Sequence, residues 1–386
     1  MRTAYLAVRT KKVSIMKTCG IIAEYNPFHN GHLHHIEETR LKTGCDCIIA
    51  VMSGNFTQRG EPAIISKRLR AIAAVQNGVD IVIELPYIYS VQSATMFAKG
   101  AIGLLKAAHV DYLSFGSECG NLENLKEIAE TPSNPDHLHQ AMDNGMSYPE
   151  AYSLLTSNML PNDILAVSYL KCLADTEIVP CIVKRENAYL STDMHKNASA
   201  LAIRKAVKEH TSFSYATPME PALLTQEPVF PEMYYPYLRT FLLTSSRESL
   251  SSLFLFSEGI EKHLANAARI SPTYESFMNN AVTHRYTASR IRRTCLSALC
   301  QVTARDVQKL PALQTLHILA FSDTGRAWLH EMRGKNARIA SRFTDVPYPW
   351  RAMEYKAAIA YASVLSEERR EAILLEETQG ATYVKR

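Results

Sequence analysis

The 386-residue sequence has no apolar run approaching the ~20 residues that cross a bilayer as a helix, so no membrane-spanning helix is expected. Its first residues include Arg2, Arg9, Lys11 and Lys12 but no long apolar stretch and no small-residue cleavage site. A secretory signal is therefore not expected, and a cytoplasmic location is. Low-complexity tracts and fixed-period repeats are missing, which removes solenoid architectures. The eight cysteines are scattered, and Cys45 and Cys47 bracket one residue, which makes neither a zinc knuckle nor a CxxC pair. They are read as reduced thiols. A G-x-x-x-x-G-K-[ST] sequence is absent, as is a dinucleotide fingerprint after the first strand, so any phosphate site must be built another way.

Net charge is scarce as well. The formal +4 is supplied by the four basic residues before Met16, and from Met16 onward acids and bases balance. Met16-Lys17-Thr18-Cys19-Gly20 reads as a natural beginning, so residues 1–15 are taken as an N-terminal extension, disordered or the product of a misassigned start. A polyanion would have to be attracted by local patches. One lies between Phe277 and Arg342, where eleven lysines and arginines face three acids, a balance of +8. Residues 16–115 hold nine against eight.

With 47% apolar and 21% charged residues, the chain has a globular composition and length for two or three domains. Short apolar runs at 18–23, 47–52, 81–85 and 111–115 alternate with helical stretches at 32–42, 67–77 and 93–108. A further helix is expected from Pro161, a strand at 177–183 and a helix at 200–209. This pattern predicts an α/β fold with a Rossmann-like, doubly wound parallel sheet over residues 16–230. Long helical periods follow, as at 247–268 and 289–299, and predict a mostly helical domain over 231–386. The strand ends Glu24-Tyr25-Asn26, Ser53-Gly54-Asn55, Glu84-Leu85-Pro86 and Gly116-Ser117-Glu118 are expected to meet in one crevice.

His29-Asn30-Gly31-His32 follows the first strand and opens a helix. A helix start favours an anion, Gly31 allows close approach, and His29 and His32 lie one turn apart along the same phosphate chain. Two other readings stay open. One is half of a zinc site with His34 and His35, for which no Cys, Asp or His partner stands at tetrahedral spacing. The other is histidines that only cap or pack. Lys184 or Arg185, ending the later strand, could clamp a phosphate. Ser199 precedes an apolar-periodic helix and Arg204 sits on its second turn, which is either half of a phosphate site or an N-cap with a surface arginine.

His29-Asn30-Gly31-His32 together with Ser199-Ala200-Leu201-Ala202-Ile203-Arg204 resembles the signature pair of the nucleotidyltransferase superfamily. The longer strings from Gly20 to Leu33 and from Met52 to Ala63, with Val82-Ile83-Glu84-Leu85-Pro86 and Phe115-Gly116-Ser117-Glu118, are similar to the tRNA(Met) cytidine acetate ligase family. Pro161-Asn162, Arg185 and His284 to Arg293 extend the likeness over nearly everything after Met16. The resemblance implies a sheet of nucleotidyltransferase type and an enzyme that turns acetate and ATP into acetyl-adenylate and pyrophosphate. Acetyl then passes to N4 of the wobble cytidine, position 34, of elongator tRNA(Met), forming N4-acetylcytidine. It also implies catalytic roles for His29, His32, Ser199 and Arg204. ATP contacts are implied at Ile22, Ala23, Glu24, Tyr25, Asn26, Pro27, Phe28, His29, Asn30, Gly31, His32, Leu33, His34 and His35, and at Gly116, Asn162 and Arg185. Magnesium is expected to arrive with ATP, and no residue is assigned to a metal. Leu201 departs from the superfamily pattern, where a threonine is common. Glu24 and Glu84 are the acid–base candidates.

On the RNA side, a helix over 284–293 would place Arg285, Ser289 and Arg292 or Arg293 on one face, with Tyr286 stacking or packing. A second cluster, Arg326, Arg333, Lys335, Arg338 and Arg342, surrounds Gly334. Two rival functions share part of the pattern: an adenylyl- or cytidylyltransferase acting on a small phosphorylated cofactor precursor, and a non-catalytic RNA-binding protein.

Overall fold

Short apolar runs without polar alternation become the central strands, because a parallel sheet is covered on both faces. The computed structural model describes residues 16–130, 159–185, 192, 194–335 and 337–386, so the extension expected at 1–15 lies outside the described residues. Five strands are β1 (Thr18–Ala23), β2 (Cys47–Ser53), β3 (Ile81–Leu85), β4 (Tyr112–Ser117) and β5 (Val179–Lys184). The principal helices among them are α1 (Asn30–Thr43), α2 (Lys67–Gln76), α3 (Ala94–Ala107), α4 (Pro161–Leu173) and α5 (Ala200–Lys208). Helix α1 stops where Gly44 takes a left-handed φ of 60°, and Ser66 and Ser93 cap α2 and α3.

The sheet runs β5-β4-β1-β2-β3-β6-β7, where β6 is Leu316–Phe321 and β7 is Ile339–Ala340, with β8 (Thr382–Tyr383) beside β6. From β1 the chain steps outward to β2 and β3, then returns to the other side of β1 as β4 and β5, all in parallel register. Strand order therefore reverses between β1 and β4, the position where doubly wound sheets open a crevice.

Beyond residue 230 the chain is predominantly helical, with α6 (Tyr235–Thr244), α7 (Ile260–Ile270), α8 (Tyr274–Ala281), α9 (Ala288–Leu299), α10 (Asp323–Gly334), α11 (Tyr348–Ala362) and α12 (Glu367–Thr378). Two details differ from the sequence reading. The helix expected over 247–268 is broken, because Leu255, Glu258 and Gly259 take φ of 68°, 61° and 81°, which a right-handed helix cannot contain. Three strands, β6 (Leu316–Phe321), β7 (Ile339–Ala340) and β8 (Thr382–Tyr383), rejoin the sheet, β6 antiparallel to β3. A six-residue apolar run looks the same by periodicity in a strand or a buried helix turn.

Apolar side chains on α1, α2 and α5 cover one face of the sheet, and those on α3, α4 and α10 the other. Phe56, Tyr87, Trp350 and Tyr361 join the loop after β2 to α11, while Leu264, Phe277 and Ile291 hold α6 to α9 together. No described helix is long and apolar enough to cross a membrane.

Candidate active site

The loop from Glu24 to His29 is held from beneath by two arginines. Arg70, with no exposed surface, donates to the carbonyls of Glu24 (2.5 Å), Ser53 (3.2 Å) and Gly54. Arg204 donates to the carbonyl of Asn26 at 2.8 Å. Between these grips Tyr25 takes a φ of 47°, its ring 5.0 Å from Phe28 and edge-on to His32 at 4.9 Å. Asn26 Oδ1 accepts from the Ile64 N–H at 2.8 Å, and Asn30 Nδ2 donates to the carbonyls of Lys196 (2.7 Å) and Tyr215 (2.9 Å). Ile22 and Ala23 stay in β1, Pro27 is buried, and Phe28 and Leu33 pack into the apolar layer below. Glu24 accepts from the Gln58 N–H at 2.8 Å, and burial raises its carboxyl above the ordinary value.

The two histidines close the start of α1 themselves. His29 Nδ1 accepts from the Gly31 N–H at 3.0 Å, and His32 Nδ1 accepts from the His29 N–H at 3.2 Å, with ring centroids 3.8 Å apart. Gly31 is thus required by a neighbour: a Cβ there would stand 2.8 Å from His29 Cε1. Its N–H, expected to face an anion, is taken by that ring. With both Nδ1 atoms accepting, each neutral ring carries its proton on Nε2. Burial, then Arg185 and Arg204, brings His29 down to about 3, while burial, then His29 and Arg185, holds His32 well below its usual value. His35, whose Nε2 meets Ser114 Oγ at 3.0 Å, is brought down to about 4, chiefly by burial. The caps therefore occupy the Nδ1 atoms and leave the ring protons on the opposite nitrogens.

These shifts make the fold sensitive to acid. Unfolded histidines protonate near 6.5, whereas the folded chain keeps His29 neutral down to about 3, so the unfolded state binds more protons between those values and stability declines as pH falls below 6.5. At pH 5 the His29 contribution to this loss is ~2 kcal/mol. The thermal unfolding midpoint is expected to drop between pH 6.5 and 5, and to drop less steeply in His29→Asn. Equal slopes in the two proteins would remove His29 as the source.

At the β1/β4 reversal lies a crevice open to solvent, the position where doubly wound sheets take their ligands. Its walls are His29, Gly31, His32, His34 and His35 from the α1 side, Gly116 from β4, Val183, Lys184 and Arg185 at the end of β5, and Asn197 and Ser199 before α5. The Arg185 side chain passes over Gly116. Ser199 Oγ accepts from the Ala202 N–H at 3.1 Å, so it caps α5 and lines the wall at once. Leu201, where a hydroxyl was missed, is not on the wall. Neither is Asn162, which with the Asp163 N–H holds the Glu118 carboxylate, nor Arg204, whose contacts are Asn26 and Glu61. Lys184, offered with Arg185 as a phosphate clamp, stands on the wall, whereas Val183 and Asn197 were not singled out in the sequence and carried only the signal of adjacency to Lys184 and Ser199.

The ends of β2 and β3 do not reach this crevice, contrary to the expectation that four strand ends meet there. Adjacent strands are ~4.8 Å apart, so these ends are displaced sideways from the reversal. Glu84 instead bonds Lys67 and accepts from His317 Nδ1 at 2.7 Å. That leaves Glu84 outside any acid–base role in the crevice.

The helix expected over 284–293 begins only at Ala288, where Thr287 caps it, and its later arginines look inward: Arg292 pairs with Glu61 at 2.8 Å and Arg293 donates to the carbonyls of Gln58 and Gln92, while Arg285, before the helix and exposed, and Arg290 reach Glu258. Tyr286 is buried, its hydroxyl on the Glu258 carbonyl, so it packs and does not stack on RNA.

Neutral histidines at a helix start, on the reversal point of a doubly wound sheet, are the arrangement of a nucleotidyltransferase, and the family model described as HIGH Nucleotidyl Transferase matches residues 16–373. A tRNA(Met) cytidine acetate ligase from Geobacillus sp. (strain WCH70) is 36% identical over 94% of this chain and 98% of its own length. The ligase of that name from Bacillus subtilis (strain 168) is 32% identical over 94% and 96%. The chain belongs to the tRNA(Met) cytidine acetate ligase family, and is an enzyme of the ATP-dependent nucleotidyltransferase type. Two crystal structures of Thermotoga maritima TmcAL are similar in fold. The apo form has a TM-score of 0.86 at 31% identity, and the form bound with alpha-thio ATP has 0.85 at 30%, each over 96% of this chain and all of theirs.

Proposed function

We propose that the crevice binds ATP as its magnesium complex and that the enzyme activates acetate there for transfer to N4 of the wobble cytidine, position 34, of elongator tRNA(Met). The observation that carries this reading is the pair of neutral imidazoles with Nε2 protons on a wall completed by Lys184 and Arg185. An acetate oxygen attacks the α-phosphorus, the bond to the bridging oxygen breaks, and its electrons leave on pyrophosphate. Histidine N–H donors and cations favour that developing charge. Cytidine N4 then attacks the acetyl carbon, AMP departs and N4 loses a proton, giving N4-acetylcytidine. The amine is a weak nucleophile, so positioning and shielding of the adenylate matter more than a strong base.

His29 and His32 take the catalytic roles in this scheme, and Ser199 and Arg204, also expected to be catalytic, act as positioning residues: Arg204 through the loop carbonyl it holds, and Ser199 through the helix start it caps. Residues 231–386 supply the tRNA surface. With Arg292 and Arg293 turned inward, the second basic cluster is the better phosphate-contacting face, where Arg333 and Arg338 are exposed.

Pyrophosphate release from ATP should depend on acetate, and labelled acetyl should appear on a cytidine after incubation with tRNA. Label on a small phosphorylated compound would instead support the cofactor-forming transferase.

A further inference from the structure

Residues 54–63, following β2, lie between the nucleotide loop and α9 and touch both. Gly60, at a φ of 78°, rests directly on α9: a Cβ there would stand 2.5 Å from the Arg293 nitrogen. Gln58 donates its N–H to Glu24 at 2.8 Å, while its carbonyl accepts from Arg293 at 3.4 Å. Glu61 completes a second bridge. Its Oε1 meets Arg292 at 2.8 Å and its Oε2 meets Arg204 at 3.6 Å, and the other terminal nitrogen of Arg204 holds the Asn26 carbonyl. The Glu61 side chain is only 19% exposed, so water does not fully screen these attractions.

We propose that Glu61 is a positioning residue for adenylation, keeping Arg204 on the Asn26 carbonyl and so fixing the turn that presents His29 and His32. This rests on the reading that the crevice binds ATP. The physical need is specific. Arg204 is one of the cations felt by His29 and carries a long, flexible stem, so a triphosphate entering the crevice would attract it away from Asn26. A carboxylate on the far side of the guanidinium opposes that pull. Because the same carboxylate binds Arg292, the restraint is anchored to α9 and does not move with the nucleotide loop alone.

Loss of alignment acts on the transition state more than on ground-state binding, since a displacement of ~1 Å of catalytic donors costs about 10²-fold in rate. In Glu61→Gln, which keeps the shape and removes the charge, kcat for acetate-dependent pyrophosphate release is expected to fall about tenfold. The KM for ATP and the thermal unfolding midpoint should stay close to wild type. Glu61→Asp, with the charge on a shorter stem, should recover part of the lost kcat, and gives the same comparison if the glutamine variant does not fold. A kcat within twofold of wild type in both variants would overturn the proposal. So would kcat and KM changing together with a lowered midpoint, which is what general loosening produces. The wild-type protein tests the underlying reading separately: pyrophosphate release that ignores acetate defeats the acetate assignment and leaves the variant ratio interpretable, whereas no release at all defeats both.

Discussion

Replacing His32 by alanine is expected to lower acetate-dependent pyrophosphate release by about 10²- to 10³-fold, the range seen when a preorganised donor to developing charge is removed. The ring's two nitrogens have separate duties. Nδ1 accepts from the His29 N–H, which fixes the tautomer, and the proton left on Nε2 belongs to a ring on the crevice wall. Burial keeps that ring neutral, so its donor strength does not depend on a proton gained near neutral pH. Alanine removes the donor and also orphans the His29 N–H, a capping loss of ~1 kcal/mol. The fold should therefore survive a change that nearly abolishes adenylation. Single-turnover pyrophosphate release and thermal unfolding, measured on the same variant, separate the two effects. A rate within tenfold of wild type would show that the ring only caps.

The first strand, the loop and α1 were legible because each level agrees. Thr18–Ala23 is apolar on both faces, His29 precedes a helix that Gly44 ends, and the His-x-Gly-His spacing suits one turn. Gly31 illustrates what spacing misses: its missing Cβ makes room for the His29 ring, a contact that exists only once His29 becomes the N-cap. Ser199 was legible as either cap or phosphate contact, and the structure gives it both the cap bond and a place on the wall. Arg70 carried no signal, since an arginine inside a helix ordinarily reads as a surface residue. Its burial follows from three backbone carbonyls left at the ends of β1 and β2, and no sequence pattern records their convergence. The inward turn of Arg292 was hidden for a related reason: Glu61, its partner, lies in a loop after a distant strand.

The largest stability loss is expected at Lys67, which joins the first half of the chain to its last helix. Lys67 is 6% exposed, and its ammonium reaches Glu84 on β3 and Glu377 on α12, the latter at 2.8 Å. Burial alone would lower its proton affinity, but Glu377 and Glu84 outweigh that and keep the amine charged. Burial would likewise raise Glu84, yet Lys67 and then His317 hold it down at about 2. Glu354 of α11, raised by burial and by the Glu84 charge, accepts from the Tyr87 N–H at 2.8 Å. Five elements thus meet around one cation, and Arg68, next in sequence, clasps the carbonyls of Glu376, Gln379 and Gly380. Lys67→Met leaves two buried carboxylates facing each other without the lysine that joins them, only Glu84 keeping its bond to His317, which should cost about 3–5 kcal/mol of a total near 5–15. Adding Glu377→Gln removes one of those charges, so the double variant should be more stable than Lys67→Met alone, a coupling expected of groups in one network. Chemical denaturation of the three proteins measures this directly. A single-variant loss under 1 kcal/mol would mean that the glutamates take up protons and relieve the site, and that α12 is held to the sheet by Arg68 and apolar packing instead.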